Sequence, residues 1–545
     1  MRAELSRSQA PPGQIVTVGS SPLPAVANPA GAVVTAGPAG ARRLAWLDAL
    51  RGIAALCVVY SHFSYLVLPG VGSVVYSVFH PGLYGVLVFF MISGYIVPAS
   101  LERKGSIRSF WVSRLFRLFP LFAVTIAATL ALCEVGWAGL RGAQDNAGAS
   151  VLAHLFMLND LLGGNDILGP LWTLSYEMVF YLLVTALFTA GLHRRSGSLA
   201  AAFAAGALLL GGVLPTIWLS GSFLGQTPVA AAADVLIVGG LAVTVAARGL
   251  PRGVGVWLAA GTGLVLVAVN ERLDPYEGLT ILALMFTGTL IYRAQQGQVS
   301  RWCAVIVTGC VFAAAMAAGV WHIPSHTGQR LWVVTLAAAG VTFAAGLAAR
   351  QLRVPKALAW LGLVSYSVYL LHQLLIYVYN NVPFFQTSRS QPAGIQVLMT
   401  AAFVAAVLCC AGVSHRLVEV PAQRLGRRIA ARLDARFGPD RPVSLPAGES
   451  PQSARATASS PGGTRGPAVG SGVAGAPPEP SADLAGHHSP TAGRTAEWPG
   501  PAWQRQVKTA RTETGTSWSE VTGPPGNDRR TAAAPSGPRT RSSRP

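Results

Sequence analysis

Arg51 and His62 stand eleven positions apart in LDALRGIAALCVVYSHF, residues 47–63, a stretch otherwise apolar enough to enter a membrane. At about 3.6 residues per turn, that spacing is close to three whole helical turns, so both side chains share one face, about 16 Å apart along the axis. An imidazole titrates near neutral pH and can accept the proton of a hydroxyl, while a guanidinium offers paired N–H donors to a phosphate or carboxylate. A plainer reading stands beside this one: Arg51 snorkels to the membrane surface and pairs with Asp48, and His62 bonds a neighbouring helix. Ionisable side chains are costly to keep inside a span, which weighs toward the chemical reading.

Further residues of these chemical kinds lie along the chain. FWVSRLFRLFP, residues 110–120, carries Arg114 and Arg117, which serve either an anion or plain orientation in the membrane. GPLWTLSYEMVFYLL, residues 169–183, carries Glu177, either a functional carboxylate or half of a structural ion pair. LGLVSYSVYLLHQ, residues 361–373, places Ser365, Tyr369 and His372 at intervals of four and three, on one helical face. They line a cavity or form a polar seam between helices. Counted along their spans, Glu177 and His372 are expected in the same half of the membrane as His62. The polar segment 134–169 holds His154, Asn159, Asp160, Asn165 and Asp166, read either as a solvated loop or as groups offered to a sugar.

The elements that must position these residues are membrane helices. The chain of 545 residues is 51% hydrophobic and only 12% charged, which excludes an ordinary soluble domain. Apolar stretches long enough to span fall near 47–68, 82–100, 111–133, 170–191, 199–219, 229–247, 253–270, 275–292, 302–320, 330–349, 357–379 and 394–416. The expected fold is therefore an all-α polytopic membrane protein of about 10 to 12 transmembrane helices with a disordered C-terminal tail. Lys and Arg cluster in alternate connections, so the positive-inside rule puts both termini in the cytoplasm and the protein in the cell membrane. The formal net charge of +19 comes from those clusters and argues against nucleic-acid binding. Three regions are expected: a disordered cytoplasmic segment at 1–43, a membrane core at 44–428, and a disordered cytoplasmic tail rich in Pro, Gly, Ser and Arg at 429–545. No cleavable signal peptide is expected at the start. The six cysteines sit in or beside apolar stretches without CxxC spacing, and no His/Cys cluster calls for a metal.

Taken together, these segments resemble the acyltransferase 3 family of multi-pass membrane acyltransferases. The Arg, ten residues, His pattern of Arg51 and His62 is similar to the signature of that family's first span. YGVLVFFMISGYIV at 84–97 resembles its second span, and Arg114, Arg117 and Pro120 its arginine motif. Glu177, the Ser365, Tyr369 and His372 set, and HRLVEVPAQRL with Glu419 and Pro421 follow in the family's order, so the likeness covers about residues 44–428. The resemblance implies transfer of an acyl group, commonly acetyl, from acyl-CoA as co-substrate to a hydroxyl of a carbohydrate, lipid-linked sugar or glycosylated metabolite. His62, whose imidazole titrates near the operating pH, is then expected as general base, with Glu177 orienting and stabilising the imidazole. The resemblance leaves open direct transfer or a relay through acyl-His. Arg51, Arg114 and Arg117 are then expected to bind the donor's phosphates, and Ser365, Tyr369 and His372 to line the acceptor cavity. No metal or bound cofactor is implied. A hydrolase-like second domain, common among relatives, is not expected here, so the chain is read as the stand-alone form. The rival reading from another class is a secondary transporter of a sugar or lipid-linked metabolite, for which about twelve spans is also ordinary. A factor that only binds lipid-linked sugar is a third.

Overall fold

The computed structural model describes residues 38–139, 147–163, 167–222, 224–247 and 250–438. Asn165, Asp166, the segment before residue 38 and the chain beyond residue 438, with most of the expected tail, lie outside the described residues.

In chain order the helices are α1 (Pro38–Val67), α2 (Pro69–Val78), α3 (Pro81–Lys104), α4 (Ile107–Glu134), α5 (Ala147–Leu155) and α6 (Trp172–Thr189). Next come α7 (Ser196–Leu210), α8 (Trp218–Gly221), α9 (Gln226–Ala246), α10 (Leu250–Val269), α11 (Pro275–Gln295), α12 (Arg301–His322) and α13 (His326–Ala348). The last are α14 (Lys356–Leu363), α15 (Ser365–Asn381), α16 (Pro383–Gln386), α17 (Ala393–Ser414) and α18 (Val420–Phe437), the last two joined by a π-helical turn at His415–Glu419. No strand occurs among the described residues. The local signals are ordinary ones. Proline opens α2, α3 and α11, where its missing N–H is no loss. Gly105, at φ 64°, ends α3 in the left-handed conformation that glycine tolerates, and Ser106 then caps α4 by accepting from Ser109 N at 3.1 Å.

All twelve apolar stretches fall on helices, and nine of the described helices are long and apolar enough to cross a membrane. The pair α14 and α15, bent by 68° at Val364, makes a tenth if it counts as one span. The other two stretches differ for physical reasons. Helix α7 has 15 residues, short of the roughly 20 that a bilayer needs. Helix α11 has 21 but carries Glu277 and Arg293, and it is buried along most of its length, so protein rather than lipid surrounds it.

Close backbone approach holds the centre. A Cβ on Gly94 of α3 would lie 1.9 Å from the carbonyl oxygen of Met285, and one on Gly288 of α11 would lie 2.2 Å from that of Met91. The two helices cross at this glycine pair, the usual way to gain dispersion contact where lipid offers no hydrophobic drive. A second such contact sets the site: a Cβ on Gly362 would meet the Asp48 carbonyl oxygen at 1.9 Å, so α14 rests directly on α1. Gly94→Val is expected to destabilise the fold by about 1–3 kcal/mol or more, the cost of overpacking a tight contact. Thermal unfolding in detergent checks it, and an unchanged transition would disprove the crossing.

Candidate active site

The bend at Val364 starts α15 against α1, and the two helices meet at two rungs. At one, Arg51 Nε donates to Ser365 Oγ at 3.3 Å, and Ser365 Oγ donates to the Gly362 carbonyl at 2.8 Å. At the other, His62 Nδ1 and His372 Nε2 are 2.8 Å apart, with the rings stacked at 5.1 Å between centroids. The rungs are eleven residues apart on α1 but seven on α15, about 16 Å against about 10 Å. The long arginine side chain spans the difference.

The hydrogen bonds assign the tautomers. His372 Nδ1 lies 3.2 Å from the Val368 carbonyl, which can only accept, so that nitrogen carries the proton. In the neutral ring Nε2 of His372 then accepts, and His62 Nδ1 donates to it. The lone pair of His62 therefore sits on Nε2, the nitrogen suited to take a proton. The order is Val368 carbonyl, His372, His62: a carbonyl orients one imidazole, and that imidazole orients the next.

Between the rungs, Tyr369 OH donates to the Pro170 carbonyl at 2.8 Å and accepts from Thr173 Oγ1 at 2.8 Å, fixing the start of α6. One turn on, Glu177 accepts from Ser93 Oγ at 3.0 Å and from Tyr181 OH. It makes no hydrogen bond to His62: the carboxylate expected at the imidazole lies instead with Arg51, Ser93, Ser365 and Tyr369 around a cavity of about 70 Å³. The structure thus pairs His372, rather than Glu177, with His62. Ser365 and Tyr369, expected beside an acceptor, line this same narrow cavity.

His62 lines a different and wider cavity, of about 810 Å³, whose walls include Trp137, Gln373, Tyr377, Asn380, Asn381 and Gln386. Sequence reasoning passed over these amides and rings, although YVYNNVPFFQTSRSQ, residues 377–391, presents Tyr377, Asn380, Asn381 and Gln386 in a connection whose one cation, Arg389, also lines the cavity. Arg114 and Arg117 line a third cavity, of about 250 Å³, together with Lys104 and Arg427. Arg51 is not part of that wall, although Arg117 lies within its electrostatic reach. Arg114 is 7% exposed and stacks over Phe110 and Tyr181, 5.2 Å from each ring centroid.

The polar segment after α4 turns inward. His154, Asn159 and Asp160 are buried rather than solvated. Ile167 N donates to His154 Nε2 at 3.3 Å, and His154 Nδ1 lies 2.8 Å from the Ser150 carbonyl, so backbone groups consume both of its nitrogens. Asp160 Oδ2 lies 3.1 Å from Tyr176 OH, and Ser175 Oγ takes the Asp160 N–H at 3.4 Å. These contacts close the loop over the start of α6. Among the described residues no group of three or more His, Cys, Asp and Glu side chains is placed to hold a metal.

A model of an acyltransferase domain family, acyltransferase 3, matches residues 44–415. Nodulation protein 10 of Rhizobium leguminosarum bv. viciae is 34% identical over 177 residues, which is 29% of this chain and 48% of that one. Acyltransferase MdmB of Streptomyces mycarofaciens is 30% identical over 148 residues, 26% of this chain and 38% of that one. A protein of Staphylococcus aureus (strain COL) named as an O-acetyltransferase is 30% identical over 173 residues, 27% of this chain and 26% of that one. The matched segments thus span less than half of each of these relatives. No solved structure matches the chain.

The tautomer assignment is open to direct test. Nitrogen-15 NMR of histidine-labelled protein, with His62 and His372 identified by difference against single His→Gln variants, is expected to show both rings protonated on Nδ1 at neutral pH. An Nε2–H signal from His62 would refute the assignment.

Proposed function

The chain belongs to the acyltransferase 3 family, and from that premise we propose that it is a membrane O-acyltransferase. It moves an acyl group, acetyl in the first instance, from acyl-CoA to a hydroxyl of a carbohydrate or glycosylated acceptor. The observation that carries the reading is the hydrogen-bonded His62 and His372 pair at the wall of the wide cavity, its lone pair assigned to His62 Nε2.

The donor approaches from the end of the bundle that holds Arg114 and Arg117, which in this reading faces the cytoplasm, where acyl-CoA is available. Paired N–H donors suit the phosphates of its nucleotide end. The narrow cavity beside Arg51 and Glu177 suits the slender acyl-bearing arm, with Arg51 held in place by Ser365 and balanced by Glu177. The wide cavity takes the acceptor. Amide side chains give both donors and acceptors to sugar hydroxyls, and the Trp137 and Tyr377 rings suit a sugar's apolar faces.

In the reaction, His62 Nε2 takes the acceptor hydroxyl's proton as that oxygen attacks the thioester carbonyl carbon. The new C–O bond forms, the C–S bond breaks, and the imidazolium returns its proton to the departing thiolate. The products are an O-acyl ester and free CoA, with every atom and proton accounted for. His372 acts as a positioning residue: it holds His62 in the tautomer that leaves Nε2 basic, and it stabilises the imidazolium by accepting from Nδ1.

Membranes carrying the wild type or His62→Ala, offered radiolabelled acetyl-CoA with extract from the native host, test this. Label is expected in one of the lipid, glycan or small-molecule fractions with the wild type, and about 10²–10⁴-fold less with His62→Ala at equal abundance. Equal labelling would remove His62 from catalysis. Arg117→Gln is expected to raise the KM for acyl-CoA with kcat nearly kept; a fall in kcat alone would contradict a role in holding phosphate.

A further inference from the structure

The basic cavity is walled in part by a helix outside the matched family segment, which ends at residue 415. From Ala393 to Phe437 the chain runs as 45 helical residues, broken only by the π-turn, a length of about 68 Å that is twice the bilayer's hydrocarbon thickness. The second part, α18, therefore continues past the length a bilayer needs, and it packs on α4. Gly426 makes that contact possible: a Cβ there would lie 2.6 Å from Phe116 Cβ. The helix end is tied down as well, because the buried Arg108 donates through Nη1 to Asp434 Oδ1 at 3.0 Å and to the Gly438 carbonyl at 3.1 Å.

So seated, α18 brings Gln423 and Arg427 to the same hollow as Lys104, Arg114 and Arg117. Four cations line this space of about 250 Å³, and no carboxylate is among its lining residues. Like charges converging on one cavity repel one another unless an anion joins them. Arg114 adds an independent sign: it is more than nine-tenths buried, and its Nε has no hydrogen-bond partner among the described residues. Orientation charges at a membrane surface have no need of such enclosure; an anion site has.

We propose that α18 completes the donor site, with Arg427, Gln423 and Lys104 closing on the phosphates of the acyl donor's nucleotide end opposite Arg114 and Arg117. This rests on the reading of acyl-CoA as donor and adds the residues that recognise its phosphates. Four cations, Gln423 and three serine hydroxyls around one hollow suit a group with several phosphates better than a single one. A multiply phosphorylated nucleotide is thus the ligand class, and the acyl–thioester arm leaves the hollow toward Arg51.

The test measures acetyl-CoA binding to the full chain in nanodiscs of neutral lipid. It compares the wild type with Arg427→Gln, Arg427→Lys and Lys104→Gln, and repeats the series with a donor lacking the 3′-phosphate and in nanodiscs containing anionic lipid. Arg427 and Lys104 are both exposed, so neither substitution touches the core. Arg427→Gln and Lys104→Gln are each expected to weaken acetyl-CoA about tenfold, the scale of one lost charge-assisted hydrogen bond. Arg427→Lys should recover part of that loss, and at least one Gln variant should discriminate less between the donor with and without its 3′-phosphate. If the wild type binds acetyl-CoA and both Gln variants bind it equally well, α18 is no part of the site and the inference falls, while the proposed function stands. If the Gln variants lose only anionic lipid, the hollow serves a headgroup and the inference also falls. If the wild type neither binds nor uses acetyl-CoA, both readings fall together.

Discussion

A hydrogen bond between two imidazoles in the interior of a membrane protein is the constraint on which the site depends. Polar side chains at that depth must find partners within the protein. His62 finds His372, and His372 finds the carbonyl of Val368 one turn earlier on its own helix. For these atoms to meet, α1 and α15 must run side by side with their rungs in register. That register depends on the 68° bend at Val364, and on Gly362 letting α14 sit on the backbone of Asp48. The same bend frees Ser365 to take the Arg51 Nε–H. One packing contact thus positions an imidazole at one depth and a guanidinium at another.

Much of this was legible in the sequence, and what was not has a common cause. Helical spacing within one segment is a local property, so it predicted correctly that Arg51 shares a face with His62 and that Ser365, Tyr369 and His372 share another. It does not say which helix faces which. His62 meets a partner 310 residues away, and His372 is fully buried in a polar contact between helices and is not among the residues lining the three cavities. Glu177 was placed by counting turns along α6, yet the direction in which a carboxylate points depends on Ser93 and Tyr181, and these draw it to the Arg51 cavity. Lys104 and Arg427 belong to the Lys and Arg clusters read for orientation, because net charge per connection does not say which cations line one hollow. The fold as a whole was easier: a bilayer admits few backbone solutions, and each apolar stretch became a helix. Two stretches fall outside the count of helices long and apolar enough to cross: α7 is too short, and α11 carries Glu277 and Arg293.

The three cavities differ in the chemistry of their walls. One is a basic hollow lined by four cations, one a narrow cavity lined by Arg51, Glu177 and Ser365, and one a wide cavity beside His62 lined mostly by amides and aromatic rings, with Arg389 its one charged side chain besides the imidazole. Anion recognition and hydroxyl recognition ask for opposite surroundings, one rich in fixed positive charge and the other in neutral donors and acceptors. On the proposed function, a charged donor and an uncharged acceptor would be held on separate walls, with only their reactive ends meeting.

The account's central claim is that His62 and His372 act as one unit, and a double-mutant cycle measures that most directly. Values of kcat/KM for acyl transfer are needed for the wild type, His62→Ala, His372→Ala and the double variant, each at equal folded abundance. If His372 works only by orienting His62, the double variant loses no more than His62→Ala alone, and His372→Ala is harmless once His62 is gone. Losses that multiply independently would show that the two histidines do separate work and would contradict the account.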